Sequence, residues 1–64
     1  MPIVYISMFA GRTIQQKRIL VKAVTDAVVE SLKPTVSQEG VRVVIIEIPK
    51  TNLAIGGILA SDMK

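Results

Sequence analysis

The sequence predicts an α/β (α+β) chain: a single β-α-β unit with parallel strands, followed by a short C-terminal hairpin. Three observations carry that reading. Two strand-like runs, 3–9 and 41–48, are separated by a stretch with room for one long helix and a loop. The second run is almost continuous Val and Ile, the pattern of a strand covered on both faces in a parallel sheet. Gly56-Gly57 divides two short apolar runs, as in a tight hairpin. Two strands do not make a stable sheet alone, so the sheets are expected to be completed by other copies of the chain.

In the first strand, residues 3–9, the period of two puts Ile3, Tyr5, Ser7 and Phe9 on one face and Val4, Ile6 and Met8 on the other. Ala10-Gly11-Arg12 then forms a turn. Thr13 is a suitable N-cap, and Gln16 three residues on completes a capping box, in which each side chain satisfies an amide of the other. The helix is predicted from Ile14 to Leu32, with Leu20, Val24, Ala27, Val28 and Leu32 as its apolar stripe. Lys33-Pro34 ends it, because the residue before proline avoids the helical region. Thr35 to Gly40 is a polar loop. Val41 to Ile48 is the second strand, with Arg42 on one face and Glu47 on the other. A right-handed crossover joins the two strands. In the remaining segment, 49–64, Leu53-Ala54-Ile55 and Ile58-Leu59 flank the Gly-Gly turn.

A chain of 64 residues makes one domain, residues 1–64, and a marginal one, since so short a chain buries only about 60% of its unfolded surface. It has no cysteine and no histidine, so neither disulfides nor the usual zinc sites can staple it. Half its residues are hydrophobic and its mean hydropathy is +0.51, more apolar surface than one small globule can hide. Self-association is the remaining route to stability. No apolar run approaches the ~18 residues of a membrane span, and the first residues lack the layout of a signal peptide. A cytoplasmic protein with no membrane partner is expected. The net charge of +3 favours anionic ligands weakly, and one Tyr with one Phe leaves little for base stacking, so nucleic acid is not an expected partner.

Without His or Cys there is no catalytic triad and no thiol nucleophile. Gly56-Gly57 lacks the Lys-Ser/Thr ending of a phosphate loop, and the five carboxylates show no spacing that suggests a dyad or a metal cage. No metal site is expected. What remains is Pro2 and two arginines. Removal of the initiator methionine would leave Pro2 with a free secondary amine, held at the start of a strand and able to act as a general base. Proline is also simply tolerated at the first residue of a strand. Arg42 interrupts a β-branched run, where it needs either a carboxylate partner or a ligand. Arg12 sits at the turn between strand and helix, a favoured place for binding residues, whereas Arg18 belongs to the helix surface. Two arginines and an anchored amine suit a dicarboxylate, because arginine grips carboxylates bidentately and the amine moves a proton.

Met1-Pro2-Ile3, Gly11-Arg12-Thr13 with Gln16-Lys17, Val41-Arg42-Val43, and Ile55-Gly56-Gly57 with Leu59-Ala60-Ser61 follow one another in an order and spacing that resemble the short-chain 4-oxalocrotonate tautomerase (2-hydroxymuconate tautomerase) family. The likeness covers essentially the whole chain. It implies a homohexamer of β-α-β units, a trimer of dimers, with a catalytic amino-terminal proline and no cofactor. Pro2 then matches the general base. Arg42 matches the arginine that a neighbouring subunit brings to the 2-oxo or 2-hydroxy end of the substrate, and Arg12 the one that holds the distal carboxylate. The implied substrate is a small dicarboxylate or 2-oxo acid, and the implied reaction is ketonisation of 2-hydroxymuconate to 2-oxo-3-hexenedioate. Relatives with this fold and another substrate, such as phenylenolpyruvate tautomerases or hydratases and dehalogenases, are the alternative, as is a hexamer without catalysis. The chain departs from the family's pattern at Leu53, where well-known members carry a phenylalanine that dries the pocket, and at Phe9, where leucine is more usual. Both are expected to line the substrate site, and Phe9 to refill part of the space that Leu53 leaves.

Overall fold

A parallel pair of strands forms the spine of the chain in the computed structural model, which describes residues 1–63. Strand β1 (Ile3–Phe9) pairs in full register with β2 (Arg42–Ile48), from Ile3 opposite Arg42 to Phe9 opposite Ile48. Helix α1 (Ile14–Leu32) makes the crossover. It begins where Thr13 and Gln16 predict: the Thr13 amide donates to Gln16 Oε1 at 3.0 Å and the Gln16 amide to Thr13 Oγ1 at 3.1 Å. It ends at Lys33, immediately before Pro34. The loop that follows closes on a short 3-10 turn (Gln38–Gly40) and is tied back to the helix by Gln38 Nε2, which donates to Asp26 Oδ1 at 2.9 Å. β2 starts one residue later than the sequence predicts, because the Val41 amide still closes that turn by donating to the Gln38 carbonyl.

The C-terminal segment is a separate arm. Strands β3 (Ala54–Ile55) and β4 (Ile58–Leu59) pair antiparallel with each other and, among the described residues, with no other strand. Gly56 and Gly57 connect them at φ +60° and +85°. A two-residue turn with positive φ at both central positions matches the right-handed twist of the strands, and glycine takes that conformation without strain.

Alternation along the strands sorts the sheet into two unlike faces. Val4, Ile6, Met8, Val43 and Ile45 are half-buried on the helix side. Ile3, Tyr5, Val44 and Ile46 lie on the other side and stay exposed, Tyr5 to 65% and Ile46 to 42%. Within one chain, then, β2 is covered on one face only, and its apolar character on the other finds no cover. The helix presents Leu20, Val21, Val24, Val28 and Val29 to the interior. This corrects the predicted stripe: Ala27 and Leu32 face outward, and Val21 and Val29 take their places. The helix is apolar on several sides, with Ile14 and Ile19 exposed as well, so sequence spacing alone does not fix its phase.

Even the best-buried apolar residue, Val41, keeps 9% of its surface. The radius of gyration is 15.1 Å, against about 10.7 Å for a compact domain of this length. The accessible surface is 4935 Å², against roughly 4000 Å² for a compact monomer of this mass. The shape, 46 × 25 × 14 Å, is a slab with an arm. Among the described residues no helix is long and apolar enough to cross a membrane.

Candidate active site

Parallel pairing puts the beginnings of β1 and β2 side by side, and so brings Pro2 next to Arg42. The Arg42 amide donates to the Pro2 carbonyl at 2.9 Å, one rung before the first strand pair. This bond extends the sheet ladder to the residue before β1 and holds Pro2 half-buried, while Met1 is 76% exposed. Arg42 has no carboxylate partner among the described residues. Its Nη1 instead donates to the Glu39 carbonyl at 2.6 Å, offered by the 3-10 turn just before β2. That turn also holds the Glu39 carboxyl below its ordinary value, through the residue's own amide and the Ser37 hydroxyl.

The other end of the sheet carries Arg12. The Ala10 amide donates to the Ile48 carbonyl at 3.2 Å, so the ladder continues one step past β1 before the chain turns. Gly11 makes the turn at φ +116°, a conformation that residues with a β-carbon avoid. Arg12 then lines a groove of about 230 Å³ with Met8, Gln16, Lys17 and Leu20. Among the described residues its guanidinium has no hydrogen-bond or ion-pair partner. Lys17, beside it, is paired: its Nζ lies 2.8 Å from Glu47 Oε1 on β2. This hydrogen bond and the lysine's charge hold the Glu47 carboxyl below its ordinary value against partial desolvation, with a smaller contribution from the Gly11 amide. Phe9 ends β1 at this same edge, half-buried, with Lys50 Nζ 5.9 Å from its ring centroid. Leu53 is half-buried at the root of the hairpin arm, where its carbonyl accepts from the Ala60 amide at 2.8 Å.

The predicted site residues therefore fall into groups. Pro2 and Arg42 share one edge, Arg12 and Phe9 the opposite edge, and Leu53 the arm. Six residue steps of strand separate the edges, about 20 Å. A six-carbon diacid cannot bridge that distance, so no single chain unites Pro2 with Arg12. Lys17, Glu47 and Lys50 are charged neighbours of the Arg12 edge that lie outside the predicted site residues. A signal for Lys17 was present: it sits three residues before Leu20 and seven before Val24, on the same helical face. Among the described residues no cluster of acidic side chains could hold a metal ion.

A family model described as "Tautomerase enzyme" matches residues 2–63. The chain is 44% identical over 62 residues to a probable tautomerase of Lactiplantibacillus plantarum, covering 97% of this chain and 94% of that protein. It is 41% identical over 64 residues to a 2-hydroxymuconate tautomerase of Pseudomonas sp., covering 100% and 98%. Its fold superimposes with a TM-score of 0.88 on the crystal structure of YwhB, a homologue of 4-oxalocrotonate tautomerase, at 43% identity over 98% of this chain and 100% of the other.

Proposed function

The chain belongs to the tautomerase family, isomerases that interconvert keto and enol forms, and from that premise we propose that it ketonises 2-hydroxymuconate to 2-oxo-3-hexenedioate. The reading takes residues 1–64 as one tautomerase domain that works as a homohexamer, a trimer of dimers. Once Met1 is removed, the Pro2 nitrogen takes the proton from the 2-hydroxyl group. The O–H electrons become the new carbonyl, the double bonds shift along the chain, and the protonated proline returns its proton to carbon 5. Charge that builds on the dienolate is held by Arg42 at the 2-oxo end and by Arg12 at the distal carboxylate. Phe9 and Leu53 supply apolar wall, which keeps the amine desolvated and neutral near pH 7.

The observation that carries this reading is the 2.9 Å bond from the Arg42 amide to the Pro2 carbonyl. It makes the start of the chain part of the sheet, so that the amine which processing would create is fixed in place rather than on a loose tail. The separation of Arg12 from that edge, and the hold of its own chain's Glu39 carbonyl on the Arg42 guanidinium, fit a site shared between copies, with Arg42 brought by a neighbouring subunit and Arg12 drawn from a copy other than the one that supplies Pro2.

The test compares two preparations of the same protein by intact mass and by turnover of 2-hydroxymuconate. Protein lacking Met1 should turn over, with kcat/KM rising with pH through the pKa of the free amine. Protein retaining Met1 should assemble equally well and fail to turn over, because its Pro2 nitrogen is an amide without a usable lone pair. Equal rates for the two would remove Pro2 as the base.

A further inference from the structure

Lys17 and Glu47 make the only side-chain hydrogen bond or ion pair between α1 and β2 among the described residues, and it lies at the edge where Arg12 stands. It spans 30 residues of sequence at 2.8 Å, with the two side chains 28% and 41% exposed. As a stabilising contact so exposed a pair is worth little. Its position is more informative. Arg12 has no partner of its own within the described chain, so the direction of its guanidinium depends on how the Ala10–Arg12 turn is held. On the strand side the turn is fixed by the bond from the Ala10 amide to the Ile48 carbonyl. On the helix side it is fixed by the Thr13–Gln16 box and by the Lys17 amide, which donates to the Thr13 carbonyl at 3.0 Å. Between these anchors stands Gly11, whose wide conformational range lets the turn hinge. The helix start must therefore be held against the sheet if the turn is to keep one shape. Glu47 opposes Met8 on β1, and its partner Lys17 lines one groove with Met8 and Arg12, so the pair ties a wall of that groove to β2.

We propose that Lys17 and Glu47 form a clasp that positions the Arg12 turn, and thereby set the enzyme's preference for substrates with a second, distal carboxylate. The proposal rests on the reading of Arg12 given above. Neither residue is catalytic; both act through Arg12. The clasp does two things at once. It fixes the start of α1 to β2, and it neutralises the Lys17 ammonium, which leaves Arg12 as the one unpaired cation among the described residues lining the groove. A carboxylate entering there meets one directed, bidentate donor rather than two competing charges.

Steady-state kinetics on 2-hydroxymuconate, with two carboxylates, and phenylenolpyruvate, with one, test the clasp. The variants are Lys17→Met, Lys17→Met with Glu47→Gln, Lys17→Arg, Arg12→Ala, and Arg12→Ala with Lys17→Met, each first checked for wild-type assembly mass. Lys17→Met should raise KM for 2-hydroxymuconate roughly three- to tenfold, in the range of couplings between residues that share partners. Its constants for phenylenolpyruvate should change less than about twofold, the double Lys17→Met/Glu47→Gln variant should match Lys17→Met alone, and Lys17→Arg should restore wild-type values. Adding Lys17→Met to Arg12→Ala should cost nothing further. A merely structural pair would depress both substrates alike and add its loss to that of Arg12→Ala, and either result overturns the clasp. Should Arg12→Ala raise KM while Lys17→Met does not, the clasp alone is wrong. Should Arg12→Ala leave 2-hydroxymuconate kinetics unchanged, the role of Arg12 falls, and the clasp with it.

Discussion

Replacing Ile46 by Lys tests whether the bare face of the sheet is the surface that other copies cover. Ile46 stands in mid-strand opposite Ser7, on the face with Ile3, Tyr5 and Val44, and keeps 42% of its surface exposed. Burying a whole Ile side chain contributes about 1.5–3 kcal/mol, so covering the remainder contributes about 0.6–1.3 kcal/mol per chain, which Lys would forfeit. A sealed interface would also strip water from the ammonium, at a cost of several kcal/mol per ion. Together these should weaken subunit association by about two orders of magnitude or more at each contact. In an isolated chain the same change points into solvent and should shift stability by less than about 0.5 kcal/mol. The surface excess over a compact monomer, roughly 900 Å², is about one partner's share of a standard interface, so there is enough area for a specific contact. Light scattering at low micromolar concentration should give about 41 kDa for wild type, six copies of 6.9 kDa, and a smaller species for Ile46→Lys. Turnover should fall with the mass, because the proposed site draws on two copies, and Ile46→Val should keep both. An Ile46→Lys protein with unchanged mass would show that this face is not the interface.

How much of this was legible in the sequence depends on how local each feature is. The Thr13–Gln16 box and the Gly56-Gly57 turn are written in four residues and two, and both formed as read. In a parallel pair the two strand starts share one edge, so the nearness of Pro2 to Arg42 was implicit in the β-α-β order. So was the distance of Arg12 from them, because in a parallel pair everything before the strands lies at one edge and everything after β1 at the other. The resemblance gathers all three into one site, and the geometry requires more than one chain to do so. The phase of α1 was less legible. With Ile14, Ile19, Val21, Val29 and Leu32 all apolar, several stripes fit the spacing, and packing on the sheet chose the one containing Lys17. The contact between Lys17 and Glu47 needs that phase and the β2 register together, which is why spacing along the chain gives no hint of it.

Three further outcomes are expected. Thr13→Ala removes one half of the capping box and should cost about 1 kcal/mol per chain in urea unfolding, whereas Thr13→Ser should retain most of it. The Glu47 carboxyl is depressed below its ordinary value of 4.5 by Lys17, so its contribution to stability is present above that value and lost as pH falls through the lower folded-state pKa. Thermal melts taken downward from pH 5 should therefore lose less stability in Glu47→Gln than in wild type, and parallel curves would refute the assignment. The last outcome concerns Leu53, which stands where well-known family members carry phenylalanine. It is half-buried at the root of an arm that pairs with no other strand of its own chain, and in an assembled site it would face a neighbouring copy. A branched aliphatic side chain covers less area than an aromatic ring, so if Leu53 lines the proposed site it leaves the proline amine there better hydrated than phenylalanine would. Leu53→Phe should move the lower limb of the kcat/KM profile to lower pH and raise turnover of 2-hydroxymuconate near neutrality. If the profile stays where it is, Phe9 and the rest of the apolar wall already exclude water from the amine, and Leu53 lies outside the group that sets its pKa.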